Sequence, residues 1–409
     1  MEHPAIKGPS DQAPLLVIVP TVTVTRQDGR YILDRKAVAG LQLYSQLWPG
    51  RVRCVLRESD HGGALFVDAY APGELPFEIQ KLPPKALIPD ELISDSSIVL
   101  ASADNWLDLP IADQGRRLGV PVCFVIEYIL ETRLQILAMS EASLVDKAKS
   151  AVWTVLTERK RRRAFARSSG LQSNGTPAAQ AYGGCAPNTL TFFDTRLAAA
   201  QMITDEQLAV KQSRLAKGAP LRLAFSGRLE KMKGADDLIK IAATLDRAGK
   251  AFRLDIYGAG SLEADMRAEL NNADAALREK VHIHQPVDFN RELVPRLRSE
   301  VDLFLCCHRQ SDPSCTYLET LGCAVPILGY ANRAWRGIVN LADVGWMTPV
   351  NARDAMVRRV VDLDANRAEL SGKMQNAQRF AKAHSFEAEF KRRVDHLWRI
   401  AAGHDESVR

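Results

Sequence analysis

Residues 221–260 read LRLAFSGRLEKMKGADDLIKIAATLDRAGKAFRLDIYGAG. The apolar run Leu221–Ser226 predicts a strand, and the amphipathic stretch Ala235–Ala248, which is closed by Gly249, predicts a helix. A second apolar run, Phe252–Tyr257, predicts another strand. A strand, a helix and a strand in this order form the β-α-β unit of a parallel sheet.

The same alternation of short apolar runs and amphipathic stretches extends in both directions along the chain. Further strands are predicted at Leu15–Val19, Val52–Leu56, Ile98–Ala101, Val122–Ile126, Val281–His284, Val301–Cys307 and Val325–Leu328, and helices at Asp34–Leu47, Leu109–Leu118 and Glu131–Arg167. The repetition predicts an α/β protein with two Rossmann-like, doubly wound domains. We place the first domain at residues 1–205 and the second at 206–385. An amphipathic helix is predicted over 386–402.

Two segments are predicted to be loops. Asn174–Asn188 is rich in glycine, proline and alanine, and Thr21–Arg30 follows the first predicted strand.

Length and composition restrict the class of protein. A chain of 409 residues is too long for one ordinary core, and 46% hydrophobic with 25% charged residues is typical of a globular protein. The net charge of +5 suits an anionic ligand or membrane surface. No apolar run approaches the roughly 18 residues that span a bilayer. Seven cysteines, most of them in apolar stretches, indicate a reducing compartment, so the cytoplasm is the expected location.

The segment after Leu221–Ser226 carries candidate anion ligands. Gly227 permits a tight turn, Arg228 offers a planar fork of donors, and Lys233 offers a compact cation. Gly234 then opens a helix whose first N–H groups also suit an anion. A diphosphate cradle is one interpretation, and an exposed basic turn that binds nothing is the other.

Two further glycines, Gly258 and Gly260, follow the strand Phe252–Tyr257. Glycines at a strand-to-helix turn let a ligand approach the backbone closely. Glycines also end many strands for steric reasons alone, and both interpretations stay open.

Two carboxylates follow the strand Val301–Cys307. Asp312 precedes Pro313, a pair typical of a helix start with Asp as the N-cap, and a catalytic role is the alternative. Glu319 lies among apolar residues, so its carboxylate requires a partner. That partner is either a salt bridge or the hydroxyls of a ribose.

These motifs together resemble the family-4 retaining glycosyltransferases. The resemblance rests on Gly227–Gly234, Gly258–Gly260 and Asp312–Pro326, in the family's order and spacing, and covers Leu221 to about Pro349. It implies the GT-B architecture, in which two Rossmann-like domains face each other across a cleft. The helix over 386–402 also resembles the family's C-terminal helix, which implies that it packs back on the first domain. In the first half, Leu171–Gly175 and Asn188–Asp194 are similar to a bacterial polysaccharide-synthesis branch.

The resemblance assigns roles to residues of the second half. Arg228 and Lys233 would hold the donor diphosphate, and Glu319 matches the second glutamate of a family pair and would bind the donor ribose. The first glutamate of that pair is Ser311 here, which departs from the family, and the neighbouring Asp312 is the candidate replacement. Backbone N–H groups facing the transferred sugar are expected from Ser314, Cys315 and Thr316.

The first half departs from the family as well. The loop Thr21–Arg30 holds a single glycine where members often carry several. Glu127-Tyr128 follows the strand Val122–Ile126 where a histidine is expected. Glu127 would orient the donor sugar or an acceptor hydroxyl, or it makes a structural hydrogen bond to the next loop.

The implied reaction is transfer of a hexose-type sugar from a UDP- or GDP-sugar to a glycan or polyprenyl-linked acceptor, with retention, in cell-surface polysaccharide biosynthesis. No cofactor or metal is predicted, because electrostatic stabilisation of the leaving diphosphate needs none and no acidic cluster suits Mg²⁺. Two alternatives remain open: a sugar-nucleotide 2-epimerase, and a sugar-nucleotide-binding scaffold subunit with little activity.

The basic stretch Arg159–Arg163 has two interpretations. It is either a solvated helix end or a contact with anionic lipid headgroups at the inner face of the membrane. Nucleic-acid binding is not expected, because Phe165 is the single aromatic neighbour available for base stacking.

Overall fold

The computed structural model describes residues 13–59 and 66–403. They form two compact units. The first contains the described residues up to Arg133, then Ser143–Phe192, and those from Glu387 onward. The second contains Leu134–Ala142 and Phe193–Phe386.

The first unit contains one large sheet. Its described strands are β1 (Leu15–Val19), β2 (Thr23–Gln27), β3 (Arg30–Asp34), β4 (Arg51–Glu58), β5 (Val67–Tyr70), β6 (Glu78–Leu82), β7 (Ile98–Ser102), β8 (Val122–Ile126), β9 (Gly170–Asn174) and β10 (Asn188–Phe192). The order is β10-β9-β8-β7-β1-β4-β2-β3-β5, and β6 also pairs with β4. The pairings from β10 through β7 and β1 to β4 are parallel. The chain leaves β1 toward β4 and later returns to β7 on the other side, which makes this sheet doubly wound with its switch point between β1 and β7.

Helices cover this sheet on both faces. They are α1 (Arg35–Leu47), α2 (Ile111–Leu118), α4 (Leu144–Arg167) and α5 (Gly175–Tyr182). A further helix, α3 (Leu130–Met139), begins in the first unit, but its residues from Leu134 onward belong to the second. One apolar core joins strand residues such as Val17 and Phe124 to Phe165 of α4 and Tyr182 of α5. Strands that are buried on both faces explain why their sequences are apolar throughout.

The second unit is a smaller parallel sheet with helices. Its strands are β11 (Leu221–Ser226), β12 (Phe252–Tyr257), β13 (Val281–His284), β14 (Leu303–Cys306), β15 (Ile327–Tyr330) and β16 (Gly345–Thr348). Its helices are α6 (Asp205–Ala216), α7 (Ala235–Arg247), α8 (Glu263–Asn271), α9 (Ala275–Lys280), α10 (Val294–Glu300), α11 (Thr316–Leu321), α12 (Arg333–Ala342), α13 (Arg353–Ala365) and α14 (Arg367–Ala383). The strand order β13-β12-β11-β14-β15-β16 puts the switch point between β11 and β14.

The last helix, α15 (Phe386–Ala401), belongs to the first unit. Its Phe390 packs edge-on against Tyr44 of α1 at 5.1 Å between ring centres, and Trp398 packs against Trp48 at 5.2 Å. Gly40 permits this approach, because a Cβ atom there would lie 2.9 Å from the Phe390 ring.

The sequence-based prediction was wrong in three places. The supposed loop Thr21–Arg30 is a β-hairpin whose turn, Asp28-Gly29, has positive φ at both residues. An Asp-Gly pair is a strong hairpin signal that the prediction overlooked. The supposed loop Asn174–Asn188 contains α5, which carries Pro177 in its first turn, where proline is tolerated.

The third error is the single helix at Glu131–Arg167. The structure has two helices there, α3 and α4, because Ser143 caps the second one. Its Oγ accepts a hydrogen bond from the Asp146 N–H at 3.1 Å. A side chain that satisfies the first amides starts a new helix at this point.

Candidate functional site

The loops after β11 and β14 flank the switch point of the second sheet. Ligands of open α/β sheets bind at the carboxyl ends of the strands beside this point. The loop after β11 contains the predicted diphosphate cradle, and the loop after β14 contains Asp312. The topology therefore brings together the two segments that the sequence analysis selected separately.

The two glycines of the turn after β12 are required by packing against the loop after β11. A Cβ atom at Gly258 would lie 1.9 Å from the carbonyl oxygen of Gly227, and one at Gly260 would lie 2.5 Å from that of Leu229. Gly258 also has φ +152°, which disfavours other residues. The two turns thus pack backbone to backbone, and a part for Gly227, Gly258 and Gly260 in ligand binding stays a prediction.

Lys233 and Asp312 form a buried ion pair. The Lys233 Nζ lies 2.7 Å from Asp312 Oδ2, and each residue is 6% exposed. Burial, the largest single effect, would raise the pKa of Asp312, but the Lys233 charge and the hydrogen bonds of Lys233 and Gln310 together with the His308 ring hold that pKa below its usual value. The second carboxylate oxygen, Oδ1, is buried and makes no hydrogen bond to the described residues.

Asp312 is not a helix cap, so this prediction was wrong. Helix α11 begins at Thr316, with Cys315 in the cap position. The Asp312 side chain is directed to Lys233, while its backbone carbonyl accepts a hydrogen bond from the Ser314 N–H at 2.9 Å. The Ser314 N–H, one of the three expected to face a sugar, is therefore already hydrogen-bonded within this turn.

Arg309 holds the loop after β14 against the start of α7. Its guanidinium pairs with Asp236 and with Asp237, at 2.7 Å in the second case. Asp237 also accepts a hydrogen bond from the Tyr330 hydroxyl at 2.7 Å. The two loops that flank the switch point are therefore fixed to each other through a network that sequence reasoning missed.

His308 adds a buried neutral side chain beside Lys233. It is 1% exposed, and neither of its ring nitrogens has a hydrogen-bond partner among the described residues. Burial lowers the pKa of His308 to about 3, and the charge of Lys233 contributes in the same direction. The Oε1 atom of Gln310, 1% exposed, is equally without a partner in the described chain. Buried polar atoms usually have partners, so this cluster is prepared for a polar ligand.

Ser311, which occupies the position of the family's first glutamate, is turned into the protein. It is 2% exposed, and its Oγ accepts a hydrogen bond from the Arg333 N–H at 3.2 Å. Its own N–H donates to Gln135 Oε1 at 3.0 Å. Cys315 and Thr316 are partly exposed at the start of α11.

Glu319 makes the salt bridge that was one of its two interpretations. Arg196 Nε lies 2.7 Å and Nη2 3.1 Å from the two carboxylate oxygens, in a bidentate pair. The Arg196 guanidinium also lies 4.1 Å from the ring centre of Phe289. Burial, the largest single effect, would lower the pKa of Arg196, but the charge and hydrogen bonds of Glu319, with smaller effects of Cys315 and Asp194, together raise it. Sequence reasoning missed Arg196, which is 123 residues from Glu319 along the chain.

Glu127 lies in the first unit, at the carboxyl end of β8. Its backbone N–H donates to Asp104 Oδ2 at 2.9 Å, and that of Tyr128 donates to Oδ1 at 3.1 Å. Arg133 pairs with the same carboxylate. The backbone at Glu127 is thus fixed by hydrogen bonds to the loop after β7, and the partly exposed side chain stays a candidate for contact with a sugar.

Residues 13–59 and 66–403 show neither a metal-binding cluster nor a membrane-spanning helix. No three His, Cys, Asp or Glu side chains there are arranged to hold a metal ion. No helix there is both long enough and apolar enough to cross a membrane.

Comparison with known proteins supports a glycosyltransferase. Residues 207–381 match the family described as glycosyl transferases group 1, which covers most of the second unit. No curated protein sequence matches the chain.

The fold is similar to several solved structures. HepE of Anabaena, in complex with UDP, is 13% identical, with a TM-score of 0.63 over 93% of this chain and 98% of that one. Sucrose-phosphate synthase of Thermosynechococcus elongatus is 13% identical, with a TM-score of 0.62 over 94% and 98%. WaaG, a glycosyltransferase involved in lipopolysaccharide biosynthesis, is 11% identical, with a TM-score of 0.57 over 93% and 99%. The α/β class and GT-B fold predicted from the sequence are confirmed.

Proposed function

We propose that this protein is a retaining glycosyltransferase that moves a hexose-type sugar from a UDP- or GDP-sugar to a glycan or polyprenyl-linked acceptor. Support for the donor comes from the solved neighbours, since HepE was crystallised with UDP and with UDP-glucose. WaaG, which acts in lipopolysaccharide biosynthesis, supports a role in cell-surface polysaccharide assembly.

The observation that carries the proposal is the cluster at the switch point of the second unit. Arg228 is exposed at the end of β11, while Lys233, His308 and Asp312 present buried polar groups beside it. A nucleoside diphosphate would place its phosphates on Arg228 and Lys233, and the attached sugar would meet the unpartnered Oδ1 of Asp312. Two cations beside the breaking bond stabilise the charge that develops on the leaving diphosphate.

The individual residues then have distinct tasks. Glu319, held by Arg196, would accept hydrogen bonds from the ribose, and Asp312 would take the place of the first glutamate that Ser311 lacks. The N–H groups of Cys315 and Thr316 and the Glu127 side chain are proposed to contact the sugar or its acceptor. The reaction is proposed to proceed without a metal or other cofactor.

The proposed location is the cytoplasm, at the inner face of the membrane. The seven cysteines, all within the described residues, are free thiols. Free, mostly buried thiols are typical of a reducing compartment.

The test measures transfer of labelled sugar from a panel of UDP- and GDP-sugars to a bacterial lipid extract. Arg228→Ala should weaken binding of donor and of free nucleoside diphosphate alike by about 1.5–3 kcal/mol, and turnover should fall with it. Arg247→Ala is the matched control, because this exposed arginine lies at the opposite end of α7.

The outcomes separate the proposal from its alternatives. Transfer that depends on Arg228 and not on Arg247 supports it. Donor binding without transfer would indicate the scaffold subunit instead, and recovery of the free sugar nucleotide as its epimer would indicate the 2-epimerase. Equal diphosphate affinity in the wild type and Arg228→Ala would contradict the assignment of Gly227–Gly234 as the diphosphate-binding loop.

A further inference from the structure

Helix α4 of the first unit has a solvent-facing side that is apolar. Val145, Val152 and Leu156 are 63%, 61% and 50% exposed. They lie at positions i, i+7 and i+11, which an α-helix brings to one side. Isolated exposed apolar residues need no explanation, but a continuous row along a helix indicates a surface that contacts something.

Two tryptophans widen this apolar row. Trp153 of α4 is 52% exposed, and Trp106, which follows β7, is 50% exposed. Their rings meet edge to face at 6.0 Å between centres. Exposed tryptophans favour the boundary between water and lipid, because the ring is apolar and its N–H is polar.

Exposed cations continue the row toward the end of the helix. Lys149, Arg159, Lys160 and Arg163 lie on the same side as the apolar row, at i+4, i+14, i+15 and i+18 from Val145. Within the described residues none of the four forms an ion pair. The surface is therefore positive and free to meet anions.

Helix α4 carries two carboxylates, and only Asp146 is exposed. It lies at the edge of the face, near the side of the helix that carries Trp153, and accepts a hydrogen bond from the Ser143 hydroxyl at 2.7 Å. Glu158 is buried and pairs with Arg161 and Arg162. The expectation that all of Arg159–Arg163 meets lipid is thus wrong for Arg161, which is 2% exposed and donates to the Ala103 carbonyl at 2.9 Å.

We propose that this face of α4, defined by Val145, Val152, Trp153 and Leu156 with the cations Lys149, Arg159, Lys160 and Arg163, docks on an anionic lipid bilayer. The apolar side chains enter the headgroup boundary, and the cations pair with lipid phosphates. The charge of the face selects this partner over a second copy of the chain, whose identical face would bring cations close to cations. The proposal does not depend on the reaction that the second unit catalyses.

The test is sedimentation of the full chain with vesicles of phosphatidylcholine alone or mixed with phosphatidylglycerol. The wild type should bind the mixed vesicles most strongly at low salt. The triple variant Arg159→Gln, Lys160→Gln and Arg163→Gln should bind at least about tenfold more weakly. The matched control, Arg26→Gln, Lys85→Gln and Arg116→Gln, removes the same charge from exposed sites elsewhere in the first unit and should stay within about twofold of the wild type.

The apolar part of the face is tested separately. Val152→Ser with Leu156→Ser should lower vesicle binding by about tenfold while leaving its salt dependence in place. The blue shift of tryptophan emission on vesicle addition should be reduced in Trp153→Ala, which leaves Trp106 as the second exposed tryptophan of the row. A wild type that stays in the supernatant at low salt would overturn the proposal. So would equal binding by the two triple variants, or a dimer that Val152→Ser with Leu156→Ser converts to a monomer without changing vesicle binding.

Discussion

The two units present charged residues at the carboxyl ends of their strands in different ways. In the first unit Asp104 is hydrogen-bonded by two backbone amides and by Arg133, and Arg161 is paired with Glu158. In the second unit the Lys233–Asp312 pair lies beside His308. Asp312 Oδ1 and both ring nitrogens of His308 are buried without a hydrogen-bond partner among the described residues.

The two arrangements suggest different tasks for their charged residues: to stabilise loops in the first unit and to bind a ligand in the second. The first network holds the loops after β7 and β8 together, although its Arg133 Nε is also buried without a partner among the described residues. What sets the second cluster apart is that three neighbouring side chains, His308, Gln310 and Asp312, each retain such an atom, and buried polar atoms usually have partners. We therefore expect the first network to act in stability and the second cluster to act in donor binding. Mutations in the two places should therefore affect different measurements.

The largest effect is expected for Arg161→Leu in the first unit. The substitution removes one of the two arginines that pair with the buried Glu158 carboxylate, and it removes the donor that hydrogen-bonds the Ala103 carbonyl. The free energy of unfolding should therefore fall by about 3–5 kcal/mol. Chemical denaturation measures this loss. Arg163→Leu, at an exposed position of the same helix, is the control and should be nearly neutral. Equal midpoints for the two variants would contradict the structural role of the network.

The second effect concerns the Lys233–Asp312 pair. Lys233→Met leaves a buried carboxylate and should lower the free energy of unfolding by about 3 kcal/mol, and adding Asp312→Asn should restore part of it. Nucleoside diphosphate affinity should be lost in both variants, because the cation is absent from both. Asp312→Asn alone should lower kcat while diphosphate affinity stays near the wild type.

Calorimetry and thermal unfolding with and without UDP separate these outcomes. If the double variant binds UDP as well as the wild type does, Lys233 acts only in structure, and the contrast between the two units no longer holds.

The sequence predicted the second unit better than the first for a physical reason. The Gly227–Gly234 loop and Asp312 are local signals, and a parallel strand order brings such segments to one edge of a sheet. Arg196 and Arg309 were missed because their partners, Glu319 and Asp236, are distant along the chain and no local pattern marks such pairs.

The first unit was harder because its local signals conflict. Gly175 and Pro177 indicate a loop, although proline in a first turn and the alanines after it also suit the helix that forms. Arg161 was grouped with its exposed neighbours in the basic stretch, because burial depends on the helix face rather than on the residue type.

The third effect is a pH dependence that His308 contributes. Its folded pKa is about 3, against an ordinary value of 6.5, so below pH 6.5 the unfolded chain binds a proton that the folded chain does not. Stability should therefore fall with falling pH, by about 2 kcal/mol between pH 6.5 and 5 from this group. His308→Gln should remove that part of the slope. In the first unit, burial lowers the pKa of His396 to about 4, so its contribution to stability should also fall with falling pH, over the narrower range between pH 6.5 and 4.

Denaturation midpoints across this pH range give the slopes directly. If His308→Gln has the wild-type slope, the pKa of His308 is the same in the folded and the unfolded chain, so the ring is not held neutral by burial. The interpretation of the second-unit cluster as prepared for a ligand would then lose one of its supports.

The smallest effect tests whether Glu319 serves the donor or only the fold. If its carboxylate accepts hydrogen bonds from the ribose, that contact is equal in ground and transition states, so Glu319→Gln should raise the donor KM about fivefold with kcat nearly unchanged. A purely structural Glu319 predicts the reverse, since loss of the Arg196 pair would lower the melting temperature and leave KM intact. Glu292→Gln, at an exposed ion pair of the same unit, is the control for loss of a carboxylate. Arg196→Lys then separates the two roles of the pair: it keeps the charge but not the bidentate geometry, so KM rises only if that geometry orients Glu319 toward the ribose.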